Sequence, residues 1–429
     1  MEVLTMRPLL PTLLTLAPLL FALPAFASDG VLEINHTCAT VSGCFSGDSV
    51  GYPVEIDGSA GSSYVLTSDL NVVSNFLQGI QIINTDEITI DLNGFTVAGP
   101  VTCSGSGSAL SCDFGLSRAI AGLDQVTIRN GRVRGFGGGI LLGERAEVVD
   151  VHATGNGGSG FSLGSSSLVR GCSAIRNANR GISASGSSVL NSVASENKAT
   201  GIRSIFQATV LTGNVVIANG TDGIECGPGC VVRNTVARAN EGQGMICGEN
   251  CLIESSTVDS NLATGGVTAG DGALVSGNVV SSNTGYGIQV GVRSVVRGNA
   301  VRDNSGSGIE STGTATVESN QVAFSSGQGI TVGANSGVSG NSVHNSTSNG
   351  IVVGEGSLVH ENTTNFNTLD GVVAGTGSKV SDNTIRSNTN GVSGGSTVVY
   401  SRNVFSGNTA VATGGATSAG DNFCSGVGC

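Results

Sequence analysis

A glycine followed by an apolar residue returns along this chain at a nearly fixed interval. The pair stands at Gly139-Ile140, Gly160-Phe161, Gly181-Ile182, Gly201-Ile202, Gly223-Ile224, Gly244-Met245, Gly266-Val267, Gly287-Ile288, Gly308-Ile309, Gly329-Ile330, Gly350-Ile351, Gly371-Val372 and Gly391-Val392. Successive anchors lie 20, 21 or 22 residues apart, most often 21. A short fixed period marks a stacked solenoid rather than one closed core. Inside each period, apolar and polar residues alternate over three short stretches broken by Gly, Asn or Ser, as between Ile288 and Gly308. A period of two places side chains on alternate faces of a strand. The stretches are too short for helix, and Gly and Asn are poor helix interiors. The eighth residue after each apolar anchor gives Val148, Val169, Leu190, Val210, Val232, Ile253, Val275, Val296, Val317, Val338, Val359, Val380 and Tyr400. Such a column is expected when each strand lies on its equivalent in the previous turn, about 4.8 Å away.

The pattern predicts an all-β fold: a right-handed parallel β-helix solenoid with three strands and about 21 residues per rung. The hand follows from the general preference of parallel crossovers. About thirteen regular rungs would make a rod of roughly 60 Å. Two polar columns, Asn278, Asn299, Asn320, Asn341, Asn362 and Asn383, and Asn240, Asn261, Asn283, Asn304, Asn367 and Asn388, are expected at corners. Asparagine tolerates the left-handed backbone that a sharp corner needs, and stacked amides can bond from rung to rung.

The repeat resembles the right-handed β-helix proteins of the pectate-lyase-like superfamily. The segments Ile88 to Val97 and Val126 to Gly131, the latter followed by Gly135-Phe136-Gly137, are similar to opening rungs of its exported bacterial members. The resemblance implies the fold and leaves the activity open, because the superfamily includes lyases, hydrolases, epimerases, tailspike glycosidases and adhesins. Of the polygalacturonase-like motifs only Asn84-Thr85-Asp86 matches in letters, and no catalytic role is carried onto it.

Residues 1–27 read as a secretory signal, with Arg7, an apolar stretch from Leu9 to Leu23, and Ala25-Phe26-Ala27 before the cleavage point. Residues 28–85 are expected to form an N-terminal cap and first rungs, 86–412 the β-helix, and 413–429 a C-terminal tail. No membrane span is expected once the signal is removed. The formal charge is −12, with Lys198 and Lys379 as the two lysines. A phosphate-neutralising surface needs clustered Lys and Arg, so nucleic acid is not an expected partner.

Export permits disulfides. Local pairs suggest themselves as Cys38 with Cys44, Cys103 with Cys112 across a Gly/Ser-rich excursion from Thr102 to Ser117, and Cys424 with Cys429. Cys226-Gly-Pro-Gly-Cys230 and Cys247-Gly-Glu-Asn-Cys251 repeat at 21 residues, which gathers four sulfurs at one corner of two rungs. Four thiolates are a tetrahedral zinc set. An oxidising compartment favours two disulfides instead, either within a rung or between rungs. No metal or cofactor is therefore expected. Cys172 reads as a buried thiol.

Outward columns place Arg233 before Glu254, Arg297 before Glu318 and Arg238 before Asp259 on adjacent rungs. Glu254 and Asp259 are the candidate catalytic carboxylates, since glycoside hydrolysis uses such a pair. Ion pairing between rungs is the favoured reading. His344 and His360 fall on outward columns of consecutive rungs, without acidic residues to orient them. Trp is absent, and of the four tyrosines Tyr286 falls at a corner. The whole predicts an exported protein with a structural or binding role, possible ligands including a polysaccharide or cell-surface glycan, at the cell surface or in the periplasm. The alternative is a carbohydrate-active enzyme: a polysaccharide lyase, glycoside hydrolase or uronate epimerase.

Overall fold

The structure, a computed structural model, describes residues 30–84, 86–206 and 209–425. The expected signal segment, Thr85 and Cys429 lie outside the described residues, and with Cys429 the pairing proposed for Cys424. Among the described residues no helix is long and apolar enough to cross a membrane.

The chain winds into a right-handed parallel β-helix. Each regular rung carries three short strands. One belongs to a 17-stranded sheet, and the other two belong to a 33-stranded sheet folded around a corner. A representative rung comprises Ile309–Ser311, Ala315–Glu318 and Gln321–Ala323, and the next comprises Ile330–Val332, Gly337–Ser339 and Ser342–His344. Val296 pairs in register with Val317 and Val317 with Val338, so equivalent residues stack directly. The stack opens with Leu32–Ile34 against Ser63–Leu66 and still runs at Phe423–Ser425 against Val404–Ser406. Near its start sits a five-residue helical turn, Cys38–Ser42, closed by a Cys38–Cys44 disulfide.

The interior is a file of small and medium apolar side chains. Ile288, Ile309, Ile330 and Ile351 are fully buried, as are Val296, Val317, Val338 and Val359. Two members of the expected column are displaced. Val189 and Leu211 take the inward positions between Val169 and Val232, while Leu190 and Val210 turn outward. The rungs that begin at Gly181 and Gly201 absorb their missing or extra residue in the turn after the anchor strand, and those that begin at Gly244 and Gly371 absorb it in the turn before the next anchor, so the core register survives.

The anchor glycines are explained by close approach. A Cβ on Gly287 would lie 2.6 Å from the Gly308 carbonyl oxygen and 2.9 Å from Asn304 Nδ2. Nothing larger than hydrogen fits between two rungs at this point.

The asparagine columns differ from expectation in one respect. The left-handed residues are those immediately before them: Gly277, Gly298, Ser319, Gly340, Glu361 and Asp382 in one file, and Ala239, Ser260, Ser282, Asp303, Phe366 and Ser387 in the other. Turning the chain one residue earlier lets each Asn side chain project inward. Asn278 Nδ2 donates to Asn299 Oδ1 at 3.0 Å and to the Ile253 carbonyl at 3.0 Å, and its backbone N–H donates to the same Asn299 Oδ1 at 2.9 Å. The amide thus spends both donor hydrogens and fills its oxygen, which makes its burial tolerable. The unit repeats through Asn299, Asn320, Asn341, Asn362 and Asn383.

Candidate functional site

One segment breaks the repeat. Between Val101 and Arg118 the chain leaves the coil and forms a small antiparallel hairpin, Cys103–Ser104 with Ser111–Cys112, closed by a Cys103–Cys112 disulfide. Arg118 fastens its end through Nη1, which donates to the Leu116 and Ser117 carbonyls. The hairpin lies lengthwise along the coil as a strap. Arg176 Nε donates to the Gly105 carbonyl at 3.2 Å, the Gly107 N–H donates to the Glu196 carbonyl at 3.3 Å, and the Ser108 N–H donates to Glu241 Oε1 at 3.0 Å. Arg176 and Glu196 belong to consecutive rungs and Glu241 to the second rung beyond them. The Ser108 hydroxyl and backbone N–H together hold the Glu241 carboxyl below the usual carboxylate range.

The strap walls a cleft of about 340 Å³ lined by Gly99, Pro100, Val101, Thr102, Cys103, Arg134, Gly135, Thr154, Gly155, Ile175 and Arg176. Arg134 and Arg176 are exposed there, and neither makes an ion pair among the described residues. An adjoining depression shares Pro100 and Val101 and adds Val73, Asn75, Asp113 and Phe114. Phe114 is 68 % exposed, and Phe76, close by in sequence to Asn75, is 63 % exposed. Guanidinium donors, backbone polar groups and an open aromatic ring thus occur side by side. Phe114 is not among the Trp and Tyr positions that the sequence offers as sugar platforms. The available signal was an isolated aromatic between Asp113 and Gly115 in a loop that buries little.

The carboxylates singled out in the sequence lie elsewhere. Glu254 ends Leu252–Glu254 and accepts from Arg233 Nε at 3.1 Å. Asp259 ends Thr257–Asp259, pairs with Arg238 Nε at 3.2 Å, and accepts from the Ser281 hydroxyl at 2.8 Å. Each carboxylate is thus turned to the arginine of the preceding rung. Glu254 also borders a shallow hollow with Arg297 and Glu318. His344 and His360 do not stack on one another. His344 pairs with Asn365 in one column and meets the Phe324 ring edge-on at 5.7 Å, whereas His360 pairs with Ser381 in another. Tyr286 is half-buried, its hydroxyl 2.8 Å from Thr268 Oγ1.

The four repeated cysteines meet inside the coil. Cys226 and Cys247 close two anchor strands and are register partners, while Cys230 and Cys251 precede the next strands across the corner. All four are buried, and no S–S bond joins them. Cys226 and Cys247 Sγ lie 2.9 Å apart, and the sulfurs of Cys226, Cys230 and Cys247 all fall within 4.8 Å of one another. Hydrogen bonds from Cys226 and Cys247 pull the Cys230 thiol down to about 5, whereas burial pushes Cys226 up. Cys172 is a separate buried thiol, raised to about 11 by burial.

A model of the right-handed beta helix region matches residues 53–227, 206–338 and 266–423. No curated protein matches the sequence. Among solved structures, the A-module of the Azotobacter vinelandii mannuronan C-5 epimerase AlgE4 is similar at 14% identity over 83% of this chain and 91% of its own, with a TM-score of 0.33. The tailspike of E. coli bacteriophage HK620, in complex with a pentasaccharide, is similar at 13% identity over 77% of this chain and 73% of its own, with a TM-score of 0.44. The receptor-binding protein of bacteriophage Det7 is similar at 13% identity over 77% and 71%, with a TM-score of 0.42.

Proposed function

The chain belongs to the right-handed β-helix family, a fold that hosts many unrelated activities, and from that premise we propose that it is an exported glycan-binding protein whose site is the cleft beneath the strap. One observation carries the reading: two exposed guanidinium groups, Arg134 and Arg176, line a walled cleft on a protein whose formal charge is −12. A guanidinium fork suits the two oxygens of a carboxylate, and an aromatic face suits the apolar side of a ring. The ligand class is accordingly an acidic polysaccharide, its uronate carboxylate on the arginines and a neighbouring ring against Phe114. The leader-like N-terminus and the two disulfides support export. Glu254 and Asp259 line no part of the cleft, and their role is to brace rungs.

The experiment titrates the full chain with neutral and uronic-acid oligosaccharides by calorimetry. Uronates are expected to bind, and Arg134→Ala or Arg176→Ala to weaken them about tenfold or more, since a charge-assisted hydrogen bond contributes about 1.5–3 kcal/mol. Arg233→Ala, outside the cleft, should leave binding unchanged. Uronate binding that ignores both cleft arginines would sink the assignment. Turnover of a glycan, lost in Glu254→Gln or Asp259→Asn, would establish the enzyme in its place.

A further inference from the structure

We propose that Cys226, Cys230, Cys247 and Cys251 are the ligands of one structural Zn²⁺ ion held between two adjacent rungs. Three of the sulfurs, those of Cys226, Cys230 and Cys247, gather around a common centre, and the Cys251 thiol adjoins that of Cys247. Cys226, Cys230 and Cys247 are mutually within 4.8 Å, and Cys251 stands one rung below Cys230, next to the register pair Val231 and Leu252. A disulfide joins sulfurs two by two, whereas a tetrahedral ion needs all four around one point. With Zn–S bonds of about 2.3 Å, the sulfurs would sit about 3.8 Å from each other. The 2.9 Å separation of Cys226 and Cys247 has to widen by about 0.9 Å, which small side-chain rotations supply.

The surroundings fit an ion. Cys226, Cys230, Cys247 and Cys251 are each at most 5 % exposed. The rung before them places the small hydroxyl pair Ser204 and Thr209 at the corresponding positions, and the rung after them places Ala269 and Ala273. Further along, the Ala269 position is taken by the larger Val290. The backbone of the corner is already spent on rung-to-rung bonds. The Gly227 N–H donates to Ser204, Gly229 to Glu249, Gly248 to Cys226 and Leu252 to Cys230. The four thiols are therefore the groups left to act as ligands. The same structure joins Cys38 to Cys44 and Cys103 to Cys112 covalently, and leaves these four unjoined. Four thiolates on one Zn²⁺ leave a complex of charge −2, and binding releases the protons of those thiols that still carry one. The ion would clamp the rungs on either side of Glu241, where the tip of the strap is held.

The test uses the full chain, reduced and kept free of oxygen. One equivalent of Zn²⁺ should remain with the protein through gel filtration, measured by elemental analysis. Co²⁺ in its place should give the intense thiolate-to-metal charge-transfer and tetrahedral ligand-field bands of a four-sulfur site. Both signals should vanish in Cys226→Ser/Cys247→Ser and in the milder Cys251→Ser, and persist in Cys172→Ser. Folded, reduced protein that retains no zinc overturns the proposal. So does mass spectrometry of freshly purified, unreduced chain if it finds all four cysteines already paired as disulfides.

Discussion

Asn320 offers a direct measure of what the amide ladder contributes. Its Oδ1 accepts from the backbone N–H and from Nδ2 of Asn299, each at 3.0 Å. Its Nδ2 donates to the Val296 carbonyl at 2.9 Å and to Asn341 Oδ1 at 3.0 Å. In Asn320→Ala the Asn299 side chain can still satisfy its two hydrogens on the Val275 and Arg297 carbonyls. Asn341 Oδ1 still receives the backbone N–H of residue 320. The buried Asn299 N–H, however, is left without an acceptor. That orphan costs about 1–3 kcal/mol, and the bonds lost at Val296 and Asn341 add about 1 kcal/mol each. The expected loss is about 3–5 kcal/mol by urea unfolding followed by far-UV circular dichroism. Serine should cost about 1–2 kcal/mol less than alanine, because Ser256, two rungs before Asn299 in this file, accepts the Thr235 N–H on its hydroxyl at 3.2 Å. Hydrogen exchange at the Asn299 amide should accelerate more in the alanine variant than in the serine variant. Equal losses for the two would refute the accounting, since the orphaned donor is what distinguishes them.

Other consequences are equally open to measurement. Ser325 and Ser346 interrupt the second ladder with hydroxyls that have no hydrogen-bond partner among the described residues; Ser325→Asn/Ser346→Asn should complete the file and raise stability by about 1–2 kcal/mol in the same unfolding assay. Gly308→Ala would put a Cβ 2.6 Å from the Gly329 carbonyl oxygen and against Val322, and should destabilise by about 1–3 kcal/mol through overpacking, read as a lowered thermal midpoint. Arg233→Ala should change stability by less than about 1 kcal/mol, because the Arg233–Glu254 pair is solvent-exposed. The Glu241 carboxyl titrates below its unfolded value. Its hold on the strap is therefore complete above the ordinary carboxylate range and fades as pH falls through the lowered folded value. Hydrogen exchange at Ser108 should rise over that acidic interval, and Glu241→Gln should raise it already at neutral pH.

The coil itself was legible because a period of 21 forces like residues to share one environment thirteen times over. Where the missing or extra residue falls between the anchor and the counted position, the count lands one residue off. Leu190 and Val210 were placed inside by arithmetic, yet Val189 and Leu211 occupy the core, since burial selects the register and the turn takes up the difference. The asparagines were visible as a column, but the backbone twist assigned to them belongs to the preceding residue. Asparagine suits these positions because its side chain satisfies itself inside the core. The strap was recognisable as a disulfide-closed excursion. Its path was not, because the contact from Ser108 to Glu241 spans 133 residues and repeats nowhere. The cleft it makes, with Arg134, Arg176 and Phe114, inherits that opacity. The cysteine cluster stood at the opposite extreme, its convergence following from spacing alone.

The amides of each file all face the same way. Within each unbroken run an Asn hands its backbone hydrogen and one amide hydrogen to the oxygen of its successor, from Asn177 to Asn304 and from Asn278 to Asn403. Such a file has a head and a tail, and bonds in series polarise one another in one sense. Damage must therefore be lopsided. Removing one member, as at Asn320, strands the backbone N–H of the turn before it, while the turn after it loses only a guest at an oxygen that still has its backbone visitor. A vacancy anywhere in the rod is felt toward the N-terminus.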